Sequence, residues 1–115
     1  HLHNNRLTSL PNHIGTLSHL RKLILSHNQI QSLPPTIGNL HNLIEFDLRS
    51  NLLTTLPTTI GTLTNLRYLD LRDNKLQHLP EQIQNLPNLE KLDLRINKNL
   101  IIPTWLHKLN CVVFY

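Results

Sequence analysis

Methionine is absent from these 115 residues, and aromatic side chains are scarce, with one Trp, two Tyr and two Phe. A core built from this chain is therefore aliphatic, mostly Leu and Ile. Cysteine occurs once, at Cys111, so no internal disulfide can form and nothing indicates an oxidising compartment. No Asn-x-Ser/Thr sequon is present either, and together these features set a cytoplasmic or intracellular expectation. The three glycines, Gly15, Gly38 and Gly61, are spread at a fixed interval rather than gathered into a phosphate-cradling loop. No apolar run approaches the length of a membrane span, so no membrane partner is expected. Acidic residues are few, seven against eleven Lys and Arg, for a net charge of +4. Lys22, Arg49, Arg72, Lys91 and Arg95 are interleaved with Glu45, Asp47, Asp70, Asp73 and Asp93. A nucleic-acid binder gathers its cations on one face or run. The expectation is no nucleic acid, with the excess charge serving solubility.

What is abundant is leucine, at regular places. Asn5, Asn28, Asn51, Asn74 and Asn97 recur every 23 residues with no insertion. On that ruler Pro11, Pro34, Pro57, Pro80 and Pro103 share a column, and Leu17, Leu40, Leu63, Leu86 and Leu109 share another. Ile14, Ile37, Ile60, Ile83 and Leu106 form a third. Self-similarity at such a period marks a solenoid, in which no unit can bury its leucines without a neighbour. The unit L-x-x-L-x-L-x-x-N-x-L-x-x-L-P-x-x-I-x-x-L-x-x holds one alternating strand and one segment of spacing three that begins at proline. Length allows one domain, residues 1–115. Its first unit is truncated, with His1 and Leu2 aligned to Ile24 and Leu25, so the chain reads as cut from something longer. Residues 98–115 form a capping segment in which Asn99 replaces the usual Leu and Val112 aligns with Leu89.

This unit closely resembles the leucine-rich repeat family over the whole chain. The L-P-x-x-I form looks like the subtype of bacterial repeat proteins and of Ras-associated scaffolds in plants and animals. The ending "IIPTWLHKLNCVVFY" loosely resembles the endings of bacterial members. The fold this implies is α/β: an arc of four to five repeats with a concave parallel sheet and 3₁₀ or short helical turns on the convex side. The resemblance implies a protein-interaction module with a folded partner. A bacterial-type regulator would inhibit a partner enzyme by covering its active site, and would act in host cytosol if secreted. A scaffold would bind a small Ras-like GTPase or a kinase. A structural fragment of a longer repeat protein is the remaining alternative. The expected state is a monomer within a hetero-complex.

In the strands, alternation sends leucines inward and the intervening residues outward. Three columns then line the concave face: Lys22, Glu45, Tyr68 and Lys91, with Phe114 extending the column; His1, Ile24, Asp47, Asp70 and Asp93; and His3, Ser26, Arg49, Arg72 and Arg95. At the rim stand Asn4, His27, Ser50, Asp73 and Ile96. Strands sit about 4.8 Å apart, so the aspartates repel and the arginines offset them, each exposed pair contributing about 0.2–1 kcal/mol. Tyr and Arg are enriched in binding hot spots, and mixed charge orients a partner. The expected contact residues are Lys22, Ile24, Glu45, Asp47, Arg49, Tyr68, Asp70, Arg72, Asp73, Lys91, Asp93 and Arg95. The asparagine column, Asn5, Asn28, Asn51, Asn74 and Asn97, is expected to be structural, closing backbone groups at the bend.

Chemistry is the weaker hypothesis. The eight histidines fall in different columns, and His1, His3 and His27 gather no carboxylate or thiolate to bind a metal. Cys111 lies in an apolar segment with no fixed histidine, which suits an inert thiol. An open sheet gives Asp47, Asp70 and Asp93 no dry cleft in which to separate their pKa values. No catalytic residue, metal or cofactor is expected.

Overall fold

An L-x-L stretch can pair sideways for only a few residues before the asparagine turns the chain away, and the strands are accordingly short. The computed structural model describes residues 2–115; His1 lies outside the described residues. The strands are β1 (Lys22–Ile24), β2 (Glu45–Asp47), β3 (Tyr68–Asp70), β4 (Lys91–Asp93) and β5 (Val112–Phe114). They lie side by side in chain order, all parallel. The half strand of the first unit adds to this edge, Leu2 N–H donating to the Ile24 carbonyl at 2.9 Å and Asn4 N–H to that of Ser26 at 3.0 Å.

Opposite the sheet run 3₁₀ turns: η1 (Asn12–Thr16), η2 (Pro35–Asn39), η3 (Thr58–Thr62), η4 (Glu81–Asn85) and the shorter η5 (Leu106–Lys108). In the first four, the column proline sits in extended backbone just before the turn, and its carbonyl accepts the N–H of the isoleucine three residues on at 3.0–3.2 Å. The proline thus caps the turn rather than opening it. Proline has no N–H to leave unpaired there, and its fixed φ suits the entry. Between sheet and turns lies the aliphatic core, where Leu25, Ile37, Leu48, Ile60, Leu66 and Leu71 are fully buried around Phe46. Each such side chain contributes about 1.5–3 kcal/mol.

Turns η1 to η4 stack closely at the glycine column. A Cβ on Gly38 would lie 2.5 Å from Thr62 Oγ1 and 2.8 Å from the Thr59 carbonyl oxygen, and one on Gly15 or Gly61 would lie 2.7 Å from the next turn's carbonyl. At the equivalent place in η4 stands Gln84, exposed. The fifth unit also departs in register. A 23-residue period would put Phe114 beside Lys91, but β5 pairs Val112 with Lys91 and Phe114 with Asp93. Shortening of the last turn to three residues lets the strand begin two residues early.

Candidate functional site

The described face is built by β1 to β5 in register: Lys22, Glu45, Tyr68 and Lys91 side by side, then Ile24, Asp47, Asp70 and Asp93. The third column continues past the strands through backbone bonds such as Ser50 N–H to the Arg72 carbonyl (2.9 Å) and Asp73 N–H to that of Arg95 (3.0 Å). Eleven of the twelve expected contact residues are exposed or half-buried, with Tyr68 at 42%. Asp93 is different: it is buried, with 2% exposure. Ser26, in the same outward pattern, is also buried, at 3%. Phe114 joins the aspartate column rather than the Lys22 column, and Lys91 Nζ and the Arg95 guanidinium lie 5.3 and 4.9 Å from its ring centre.

The charges organise by row. Asp70 at the end of β3 and Arg72 two residues beyond it share a face, and the guanidinium donates to both carboxylate oxygens at 2.6–3.1 Å. Arg95 grips Asp93 in the same way, at 2.9 and 2.6 Å, while Arg72 Nε also lies 3.4 Å from Asp93. Burial pushes the Asp93 carboxyl up, but the Arg95 side chain and backbone N–H, with Arg72 beyond, outweigh it and hold it below the usual carboxylate range. The hydrogen bond to Asp70 raises the Arg72 guanidinium, and that to Asp93 raises Arg95. Spacing alone could have shown these pairs, since Asp-x-Arg on a strand puts both side chains together. Lys22 approaches Glu45 at 4.0 Å. Across β2 to β4 the face holds a shallow hollow of about 240 Å³, lined by Glu45, Asp47, Tyr68, Asp70, Lys91 and Asp93 over Phe46 and Leu69.

The asparagine column closes the bend from the inside. Asn51 Nδ2 donates to the carbonyls of Leu25 and Leu48 at 2.9 and 3.0 Å, while its Oδ1 accepts the Ile30 N–H at 3.0 Å. Asn28 and Asn74 repeat this and are buried, and Asn97 does so half-buried. Asn5, at the open edge, is exposed and among the described residues donates to the carbonyls of Leu2 and His3. A second ladder, unassigned from sequence, runs before the strands: Asn42, Asn65 and Asn88 each donate to the previous unit at 2.7 Å. Its signal was the Asn that precedes the strand's leading Leu in each of these units.

Among the described residues no group of three or more His, Cys, Asp or Glu is arranged to hold a metal. Cys111 is half-buried, and burial pushes its thiol up. Among the described residues no helix is long and apolar enough to cross a membrane.

The family model described as "Leucine rich repeat" matches three overlapping stretches, residues 1–53, 18–76 and 41–98. The chain belongs to the leucine-rich repeat family. Solved leucine-rich repeat structures are similar to it in fold. A repeat protein of Leptospira interrogans is 34% identical with a TM-score of 0.64, covering 84% of this chain and 33% of its own. The leucine-rich repeat ectodomain of the receptor kinase SOBIR1 from Arabidopsis thaliana is 32% identical with a TM-score of 0.75, covering 92% of this chain and 62% of its own. The chain thus spans between a third and two thirds of those two structures. A search of curated proteins gave no significant match. Leucine-rich repeat domains generally act as non-enzymatic protein-binding modules.

Proposed function

We propose that this repeat domain binds a folded protein through its concave face. The observation that supports this most is Tyr68, 42% exposed in the middle of a rigid parallel sheet and flanked in its row and column by charges of both signs. A large side chain held in place by its strand loses little entropy on binding, and surrounding charge orients the partner. The five strands span about 20–25 Å at the usual spacing. A standard interface of about 800 Å² per partner therefore takes in the rim at Asp73 as well.

The finer reading is an inhibitor, a partner enzyme having its active site covered by this face. Affinity capture from a lysate of the source cell tests both levels, comparing the chain with a Tyr68→Ala, Lys91→Glu variant matched in circular dichroism. One retained protein, lost on the variant, is the expected result. If that protein is an enzyme, its turnover should fall on addition of the chain. A retained GTPase that is held in only one nucleotide state would replace the inhibitor with a scaffold. Equal capture by both proteins would remove the concave face from the interaction.

A further inference from the structure

The charged rows of the concave face carry the same Asp-x-Arg pattern and do not behave alike. In the β3 row Arg72 closes on Asp70, and in the β4 row Arg95 closes on Asp93. The β2 row stays open. Asp47 Oδ1 accepts the backbone N–H of Arg49 at 3.0 Å, and among the described residues no ammonium or guanidinium pairs with that carboxylate. Arg49 meets no carboxylate either, and its Nε is the one buried side-chain nitrogen or oxygen without a partner among the described residues. In the β1 row the same places hold Ile24 and buried Ser26. The open pair therefore lies between Ile24 and Ser26 on one side and the closed Asp70–Arg72 pair on the other, and Asp47 and Tyr68, which stands across from Glu45, both line the hollow.

A charge already held in a two-point pair must lose that pair before a partner can use it. Asp47 feels Arg72 only through its charge and not in a close pair, so it has less to lose, and the unpaired Arg49 guanidinium gains by meeting a carboxylate. We propose that the β2 row is the docking centre of the concave face. Its occupant is a polypeptide segment that brings a Lys or Arg to Asp47 and an Asp or Glu to Arg49. The alkyl stem of the incoming cation lies over Tyr68, where the ring face also favours positive charge. This deepens the concave-face reading and rests on it. Asp70, Arg72, Asp93 and Arg95 then serve to hold the two rows on the β3 side of the contact, and the partner does not read them.

The test is selection from a phage-displayed random dodecapeptide library on the immobilised chain. Enriched peptides are then synthesised and titrated against the chain and its variants, each first matched in circular dichroism. The expected peptides carry one basic and one acidic residue at a fixed spacing. Their affinity falls by about tenfold or more on the neutral double variant Asp47→Asn, Arg49→Gln, and changes little on Asp70→Asn, Arg72→Gln. Selection on the swapped chain, Asp47→Arg with Arg49→Asp, should return peptides with the two charges in reverse order. Peptides that lose affinity on Tyr68→Ala yet ignore the β2 row, or depend equally on the β3 row, overturn the docking centre and leave the concave face standing. No enrichment at all overturns the docking of a segment, and peptides indifferent to every concave substitution overturn both.

Discussion

At three joints of this solenoid consecutive turns press together through a glycine, and at the fourth they do not. Gly15, Gly38 and Gly61 each leave no room for a Cβ against the next turn's backbone. Gln84, one period later, carries a full side chain into solvent, and a hollow of about 270 Å³ opens between it and the final segment around Lys108 and Cys111. The strands follow suit. Leu69 and Leu92 are buried in β3 and β4, whereas their counterpart in β5, Val113, is only half-buried. Identical leucine spacing thus yields two kinds of joint, and backbone approach on the convex side separates them. Where turns touch, strands are held in repeat register; where they part, β5 is free to slip by two residues.

The largest test of this contrast is in the core. Leu69→Ala should lower stability by about 2–5 kcal/mol in urea denaturation, while Val113→Ala, half-buried at the loose joint, should cost about 1 kcal/mol. Gly38→Ala should cost about 1–3 kcal/mol by overpacking, since the atoms it meets include backbone. The matching change in η4, Gln84→Ala, should stay within about 0.5 kcal/mol, and equal effects at both would erase the distinction between the joints. Acid sharpens the picture at β4. The folded Asp93 carboxyl titrates below its unfolded value, so its contribution is present above about pH 4 and is lost as pH falls through the lower folded value. Asp93→Asn should flatten the acid limb of the stability curve, read as a smaller loss of stability on acidification. The smallest change is a gain. Ile96 holds φ at 62° with its side chain 64% exposed, where other units place Asn, His, Ser or Asp. A β-branched residue is strained there, and Ile96→Asn should raise stability by about 0.5–1 kcal/mol, read as a higher midpoint.

The repeat, the strand order and the asparagine ladder were legible because each is written four or five times, so that one unit corroborates the next. The concave columns were legible for the same reason, up to β4. The register of β5 was not, since it depends on how far the last turn shortens, and that single unit has no copy to compare. Nor could alternation tell exposed from buried along one column: Asp47 and Asp93 occupy equivalent places, yet Asp93 is covered by two arginines. Side-chain closure is decided by neighbours on both sides, and the row that differs is the one beside uncharged Ile24 and Ser26.

The asparagine ladder also has a direction. Asn51 completes hydrogen bonds for Leu25 and Ile30, both in the preceding unit, and Asn74 does the same for Leu48 and Leu53. Each Asn also bonds its own unit, Asn51 through Leu48, but a bend is complete only with the Asn about one period downstream. On a ribosome, which delivers the N-terminus first, the newest unit therefore stays unfinished until its successor emerges.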